Sequence, residues 1–142
     1  MADPGQARAY AEWAVNGSIT NAASNGATAR TAPFAAFHRD YRPTVFYFSP
    51  TGADATGSST ATYRQLLVLN GGTSGTGTQV LASLNLVASL ASWGTRAFTV
   101  NTSVTVASNS VIYFKQTTVG SGDHANCVMP AASIFGAVEF IG

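Results

Sequence analysis

Charge is what this sequence has least of. Of its 142 residues, seven are Lys or Arg and six are Asp or Glu, 9% in all, where a soluble domain ordinarily carries about a quarter. The stretch from Gln65 to Thr95, QLLVLNGGTSGTGTQVLASLNLVASLASWGT, contains no charged side chain. Cations this few and scattered exclude a duplex-binding surface, which needs several Lys or Arg together to neutralise phosphates. The one local cluster, His38-Arg39-Asp40-Tyr41-Arg42, offsets an arginine with its own aspartate. A single cysteine, Cys127, excludes a disulfide within the chain and fits synthesis in a cytoplasm. No stretch of about 20 apolar residues is present, so no helical membrane span is expected. MADPGQARAY has no apolar run of the kind a signal peptide needs. Neither nucleic acid nor a membrane is therefore an expected partner.

What takes the place of charge is Ser, Thr, Asn and Gly, neutral groups that still hydrogen-bond to water. Hydrophobic residues make up 46% of the chain, enough to build a core in one domain of this length. A formal net charge of +1 gives little repulsion between copies, so association is easy.

The chain divides into an N-terminal arm or short helix with its connector, residues 1–31, and a β-sandwich domain, residues 32–142. Asp3-Pro4 reads as a helix start, and Ala7, Tyr10, Trp13 and Ala14 then share one helical face; the competing reading makes AEWAVNGS a first strand. GSITNAASNGATART, residues 17–31, is polar and turn-rich. From there the signals are β. Strands are expected at Pro43–Phe48, Thr60–Leu69, Val80–Leu86, Arg96–Val100, Val104–Val106, Val111–Thr118 and Ile134–Ile141. Asn70-Gly71-Gly72 marks a turn, and NGGTSGTGT reads as a long hairpin tip. In Val80–Leu86, Val80, Ala82, Leu84 and Leu86 are expected to face one way and Ser83 and Asn85 the other. Short strands without helices between them indicate an all-β fold, an antiparallel, jelly-roll-like sandwich of about eight strands.

Three of these strands, LLVL at Leu66–Leu69, PTVFYF and VIYF, are apolar on both faces. An antiparallel sandwich buries only one face of each sheet, so the second face is expected to meet another copy of the chain. Phe46, Phe48, Leu67 and Leu69 are the expected contacts, with Arg39 and Arg42 available for ion pairs to a partner subunit.

The inventory for catalysis is short: His38, His124, Cys127 and six carboxylates. Asp123-His124-Ala125-Asn126-Cys127 supplies two of the four ligands that a structural zinc site wants, with no second pair. Cys127 has no orienting context for a nucleophile, and Glu139 reads as a strand residue paired with an arginine. The glycine-rich tip lacks the Gly-Lys-Ser/Thr of a phosphate loop. No enzyme, metal or cofactor is expected. Trp13, Trp93 and the tyrosines read as core or interface rather than as a sugar-stacking platform.

VTVASNSVIYFKQTTVGSG, closing on IFGAVEFIG, resembles small Ser/Thr/Gly/Ala-rich jelly-roll virion proteins of tailed bacteriophages, across residues 43–142. The resemblance lies in texture and has no invariant motif. It implies a homotrimer that decorates and stabilises the capsid, bound to the major capsid protein or another virion protein, located in the virion and made in the host cytoplasm. In such proteins a leading segment often grips the capsid, which would fall to Tyr10 and Trp13. The alternative is a fibre-tip module that binds a receptor or glycan.

Overall fold

The computed structural model describes residues 10–17, 29–30, 35–51, 55, 63–120 and 132–141, with side chains for 36–51, 55, 63–120 and 132–141. The strands are β1 (Tyr10–Gly17), β2 (Ala29–Arg30), β3 (Ala35–Ala36), β4 (Tyr41–Pro50), β5 (Tyr63–Gly72), β6 (Gln79–Leu86), β7 (Arg96–Ala97), β8 (Thr99–Val100), β9 (Val111–Val119) and β10 (Ala132–Phe140). They form two antiparallel sheets, β1-β10-β4-β7 and β2-β9-β5-β6-β8, with β3 also on β9. The described residues contain no helix. The antiparallel sandwich expected from the spacing of apolar runs and turns is the observed fold.

The N-terminal helix is replaced by a strand. Tyr10–Gly17 pairs in unbroken antiparallel register with β10, from Tyr10 opposite Glu139 to Gly17 opposite Ala132. Pairing on an available sheet edge outweighs a weak local helix preference.

The core lies between the sheets and is built by alternation. On β4, Phe46 and Phe48 point inward; on β5, Leu66 and Val68; on β6, Ala82, Leu84 and Leu86; on β9, Ile112 and Phe114; on β10, Ile134 and Val138. Phe98 sits where the chain leaves one sheet, at β7, and joins the other, at β8. Its ring meets Phe46 of one sheet and Phe114 of the other edge-on, both at 6.4 Å. Such edge contacts set the positive rim of one ring against the negative face of another.

Two bulges change which residues face inward. Between β5 and β6 the register skips Leu81: Val68 is opposite Ala82, and Leu69 opposite Val80. Leu81 is thereby buried and Val80 is left 43% exposed, which corrects the expectation that Val80 shares a face with Ala82. Between β4 and β10 the extra residue is Thr44, since Ala137 is opposite Val45 and Val138 opposite Pro43. The Thr44 hydroxyl donates to the Ala137 carbonyl at 2.8 Å. Pro43, which has no N–H to give a ladder, is tolerated beside such an irregularity.

The β5–β6 connection is the hairpin the sequence predicts, folded back on itself. Gly72 and Gly75 have φ of 67° and 76°, conformations open to glycine. Gly77 N–H donates to the Gly71 carbonyl at 2.9 Å, and the Tyr113 hydroxyl donates to the Gly77 carbonyl at 2.8 Å. At Asn109, φ is 64°, as a Ser-Asn-Ser turn allows. The expected strand at Val104–Val106 reduces to one bridge, Val106 with Tyr41.

Tyr41 is fully buried and its hydroxyl has no hydrogen-bond partner. Burial pushes its ionisation well above the ordinary 10.0. Tyr41→Phe deletes only that hydroxyl, so it is expected to leave stability at pH 7 unchanged or raise it by about 1 kcal/mol. A folded-state value above the unfolded one means that stability holds below pH 10 and is lost as pH rises beyond it, because the unfolded chain ionises first. The variant lacks that titration, and its advantage should widen above pH 10. Urea titrations at the two pH values check this; a loss above 1 kcal/mol would show that the hydroxyl has a partner.

Candidate assembly interface

The outer faces of the two sheets differ in chemistry. On the β5–β6 side of the six-stranded sheet, amides face each other across the ladder. Gln65 Nε2 donates to Asn85 Oδ1 at 3.0 Å, and Asn70 Nδ2 donates to Gln79 Oε1 at 3.0 Å. Leu67, half-buried, lies between Ser83 and Lys115 in the register. Leu69 and Tyr113 are opposite one another and nearly buried, beside the folded-back hairpin that accepts the Tyr113 hydroxyl. This is a solvated face with its apolar centre covered by its own chain.

The four-stranded sheet presents the opposite. Rungs of β10 and β4 set Phe135 against Tyr47 and Ala137 against Val45, and beyond them Ser133 against Ser49, both buried. Phe135 is 40% and Tyr47 41% exposed, a directly opposed aromatic pair with its rings partly in water. Ala97 of β7 is opposite Tyr47 on the other side. Not one of these residues is charged. Charge flanks them in the register: Glu12 of β1 is opposite Ala137, Arg96 of β7 is opposite Phe48, and Arg42 is opposite Glu139 at the far end of the ladder. Trp93, 74% exposed, stands beside the same sheet, its N–H donating to the Pro50 carbonyl at the end of β4 at 2.7 Å. Three of the four exposed large hydrophobic residues described thus belong to this sheet or its edge. Opposed aromatic pairs on a sheet stabilise the strand pairing itself by roughly 0.2–1 kcal/mol. Contiguous apolar surface with a polar surround is also the usual mark of a contact site.

The expected contact residues fall into three groups. Phe46 and Phe48 are fully buried and Leu69 is 2% exposed. Alternation turns the two phenylalanines into the sandwich, and the bulge with its hairpin covers Leu69, so none of the three is left for a partner. That corrects the inference that both faces of these strands need a second copy. Arg39 and Arg42 stay near the surface. The Arg39 guanidinium lies over the Phe140 ring, 5.1 Å from its centre, a cation–π contact. Phe140 in turn meets Phe37 edge-on at 5.4 Å, and Phe37 meets Tyr41 at 5.0 Å. Arg42 is half-buried with its Nε lacking a hydrogen-bond partner. Asp40 takes the Ser108 N–H at 2.8 Å, so the His38–Arg42 segment is anchored rather than loose. Tyr10 and Trp13 lie in β1, opposite Glu139 and Gly136, with side chains outside the described residues.

Of the contact candidates Tyr47, Phe135 and Trp93, the sequence reading left Trp93 and the tyrosines between core and interface and did not single out Phe135. The signal for two of them was present: strict alternation through TVFYF and SIFGAV puts Tyr47 and Phe135 on the face opposite Phe46, Phe48 and Ile134. Trp93 has no such periodic mark.

No cluster of three or more His, Cys, Asp or Glu side chains occurs among the described residues. The His124–Cys127 pair lies outside them. No helix among the described residues is long and apolar enough to cross a membrane.

No family model and no curated protein matches this chain. Among solved structures it is similar to a chain of infectious bursal disease virus, Gx strain, at 13% identity and a TM-score of 0.47, over 99% of this chain and 37% of that one. A chain of the Gt strain of the same virus matches at 10% identity and a TM-score of 0.39, over 100% of this chain and 40% of that one. The chain spans well under half the length of these solved chains.

Proposed function

We propose that this chain is a non-enzymatic virion structural protein of the capsid-decoration type, which forms homotrimers through the outer face of its four-stranded sheet and stabilises the phage head. The observation that carries the reading is the exposed aromatic Tyr47–Phe135 rung, set against an amide-covered face on the other sheet. A protein built for cohesion needs complementary neutral surfaces and no reactive groups. The resemblance of the second half to tailed-phage virion proteins supports the same direction. Binding only to the assembled shell stabilises that shell by mass action.

In this reading the N-terminal strand, with Tyr10 and Trp13, carries the attachment to the major capsid protein, and the virion is the place of action. The test is binding of the purified chain to particles from which it has been deleted genetically. Saturable binding is expected, weakened at least tenfold by Trp13→Ala, the scale of a buried aromatic contact. Binding by Trp13→Ala as tight as by the parent would remove β1 from the attachment. Failure of the parent to bind would remove decoration altogether.

A further inference from the structure

Three asparagines precede a glycine in this chain, Asn16, Asn25 and Asn70. In that pairing an asparagine loses its side-chain amide most readily, because glycine has no Cβ to shield its own nitrogen. The glycine nitrogen attacks the asparagine Cγ. An N–Cγ bond forms as the Cγ–Nδ2 bond breaks, and the nitrogen's proton leaves with Nδ2 as ammonia. Water then opens the cyclic imide to aspartate or isoaspartate. Asn70 is the member of the three that is set at a strand end against a folded-back hairpin tip.

Its surroundings act in opposite directions. Gly72 N–H donates to Asn70 Oδ1 at 2.9 Å, which draws charge onto that oxygen and favours attack at Cγ. The placement of the nucleophile opposes it. Asn70 is in register with Gln79 on one side and Ile112 on the other, and the extended ψ of a strand swings the next nitrogen out of the plane that ring closure needs. Alignment of reacting atoms is worth about 10⁵-fold or more, against about 10²–10³-fold for one such donor, so geometry decides. Turning the Asn70–Gly71 peptide into line would break both ladders, and the tip blocks it as well. Gly77 N–H donates to the Gly71 carbonyl at 2.9 Å. A Cβ on Gly77 would fall 2.7 Å from the Asn70 carbonyl oxygen, and one on Gly71 would fall 3.1 Å from a Val111 methyl group. The Tyr113 hydroxyl fastens this tip from β9, donating to the Gly77 carbonyl at 2.8 Å.

We infer that Asn70 is a masked deamidation site, closed by the Tyr113–Gly77 clasp and open to attack only when the β5–β6 hairpin opens. Modification then marks an opened molecule permanently. A carboxylate at residue 70 has no N–H to give Gln79 Oε1, which now receives one at 3.0 Å, and isoaspartate inserts a methylene into a strand paired on both sides. The test is incubation of the full chain in mildly alkaline buffer, native and in urea, until conversion is measurable. Peptide mass spectrometry reads the change from amide to acid at Asn16 and Asn70. Conversion of Asn70 should be at least tenfold slower in the native chain than in urea. Tyr113→Phe should speed it roughly fivefold in the native chain, the effect of one lost hydrogen bond on opening, and leave the rate in urea unchanged. Native conversion of Asn70 at the urea rate would overturn the masking. A Tyr113→Phe rate equal to the parent's would overturn the clasp as its gate. So would equal acceleration at Asn16 and Asn70, which would report loss of the whole fold. These outcomes are independent of whether copies of the chain associate.

Discussion

Replacing Tyr47 and Phe135 together by Thr is expected to turn the proposed trimer into single chains at micromolar concentration while the fold survives. Both side chains are about two-fifths exposed on the outer face, so their loss opens no cavity, and Thr is well suited to strands. If each ring is worth about 2 kcal/mol in the contact, the pair weakens each interface by roughly three orders of magnitude. Sedimentation equilibrium reads the change in association, and circular dichroism with a thermal melt reads the fold. Retention of the parental mass by the double variant would place the contact elsewhere on the molecule.

The second large effect falls one residue away and on a different quantity. Phe46→Ala is expected to destabilise the single chain by about 3–5 kcal/mol, the usual cost of emptying a fully buried ring site. Phe46 has no exposure and leans edge-on against Phe98, which in turn meets Phe114. The substitution therefore opens a gap where the two sheets are joined. Against a total stability of about 5–15 kcal/mol for a domain, a loss on this scale leaves much of the chain unfolded near its former midpoint. Urea unfolding of the dissociated chain measures it. A loss under 1 kcal/mol would mean that Phe46 is not part of the core, and the earlier reading of Phe46 as a contact residue would return. Adjacent side chains of one strand, Phe46 and Tyr47, are thus expected to report on folding and on assembly separately.

That separation marks how far the sequence was legible. Strand positions followed from aromatic and β-branched runs bounded by Ser, Asn, Gly and Pro, and the hairpin at Asn70–Gly72 followed from turn chemistry. Unequal burial of the two faces was harder to see. TVFYF is apolar at four of its five positions, so composition alone does not reveal which phenyl ring faces inward. Alternation does, once the strand is known to be antiparallel with one covered face. Leu69 and Val80 escaped because a bulge at Leu81 shifts the period, and an inserted residue leaves no mark in the pattern. The β1 strand stayed the competing reading because its partner, β10, is more than a hundred residues away in sequence, and local propensity carries nothing of that pairing. Trp93 stayed undecided between core and interface because its exposure comes from a turn held by Pro50 and Ala55, far away in sequence, as well as by its own Arg96.

The scarcity of charge also has a physical consequence for the proposed assembly. Contacts between neutral aromatic faces gain nothing from ion pairing, so their strength should persist in salt that screens charge over a few ångströms. The few charges present do local work: Arg96 ties down a turn, Asp40 holds a loop, and Arg39 covers a ring.

Light scattering coupled to size separation of the purified full chain tests the central claim most directly. A mass three times that of the 14.6 kDa chain is expected, the same in dilute buffer and in molar salt. A species of one chain mass at every concentration in both buffers would contradict it.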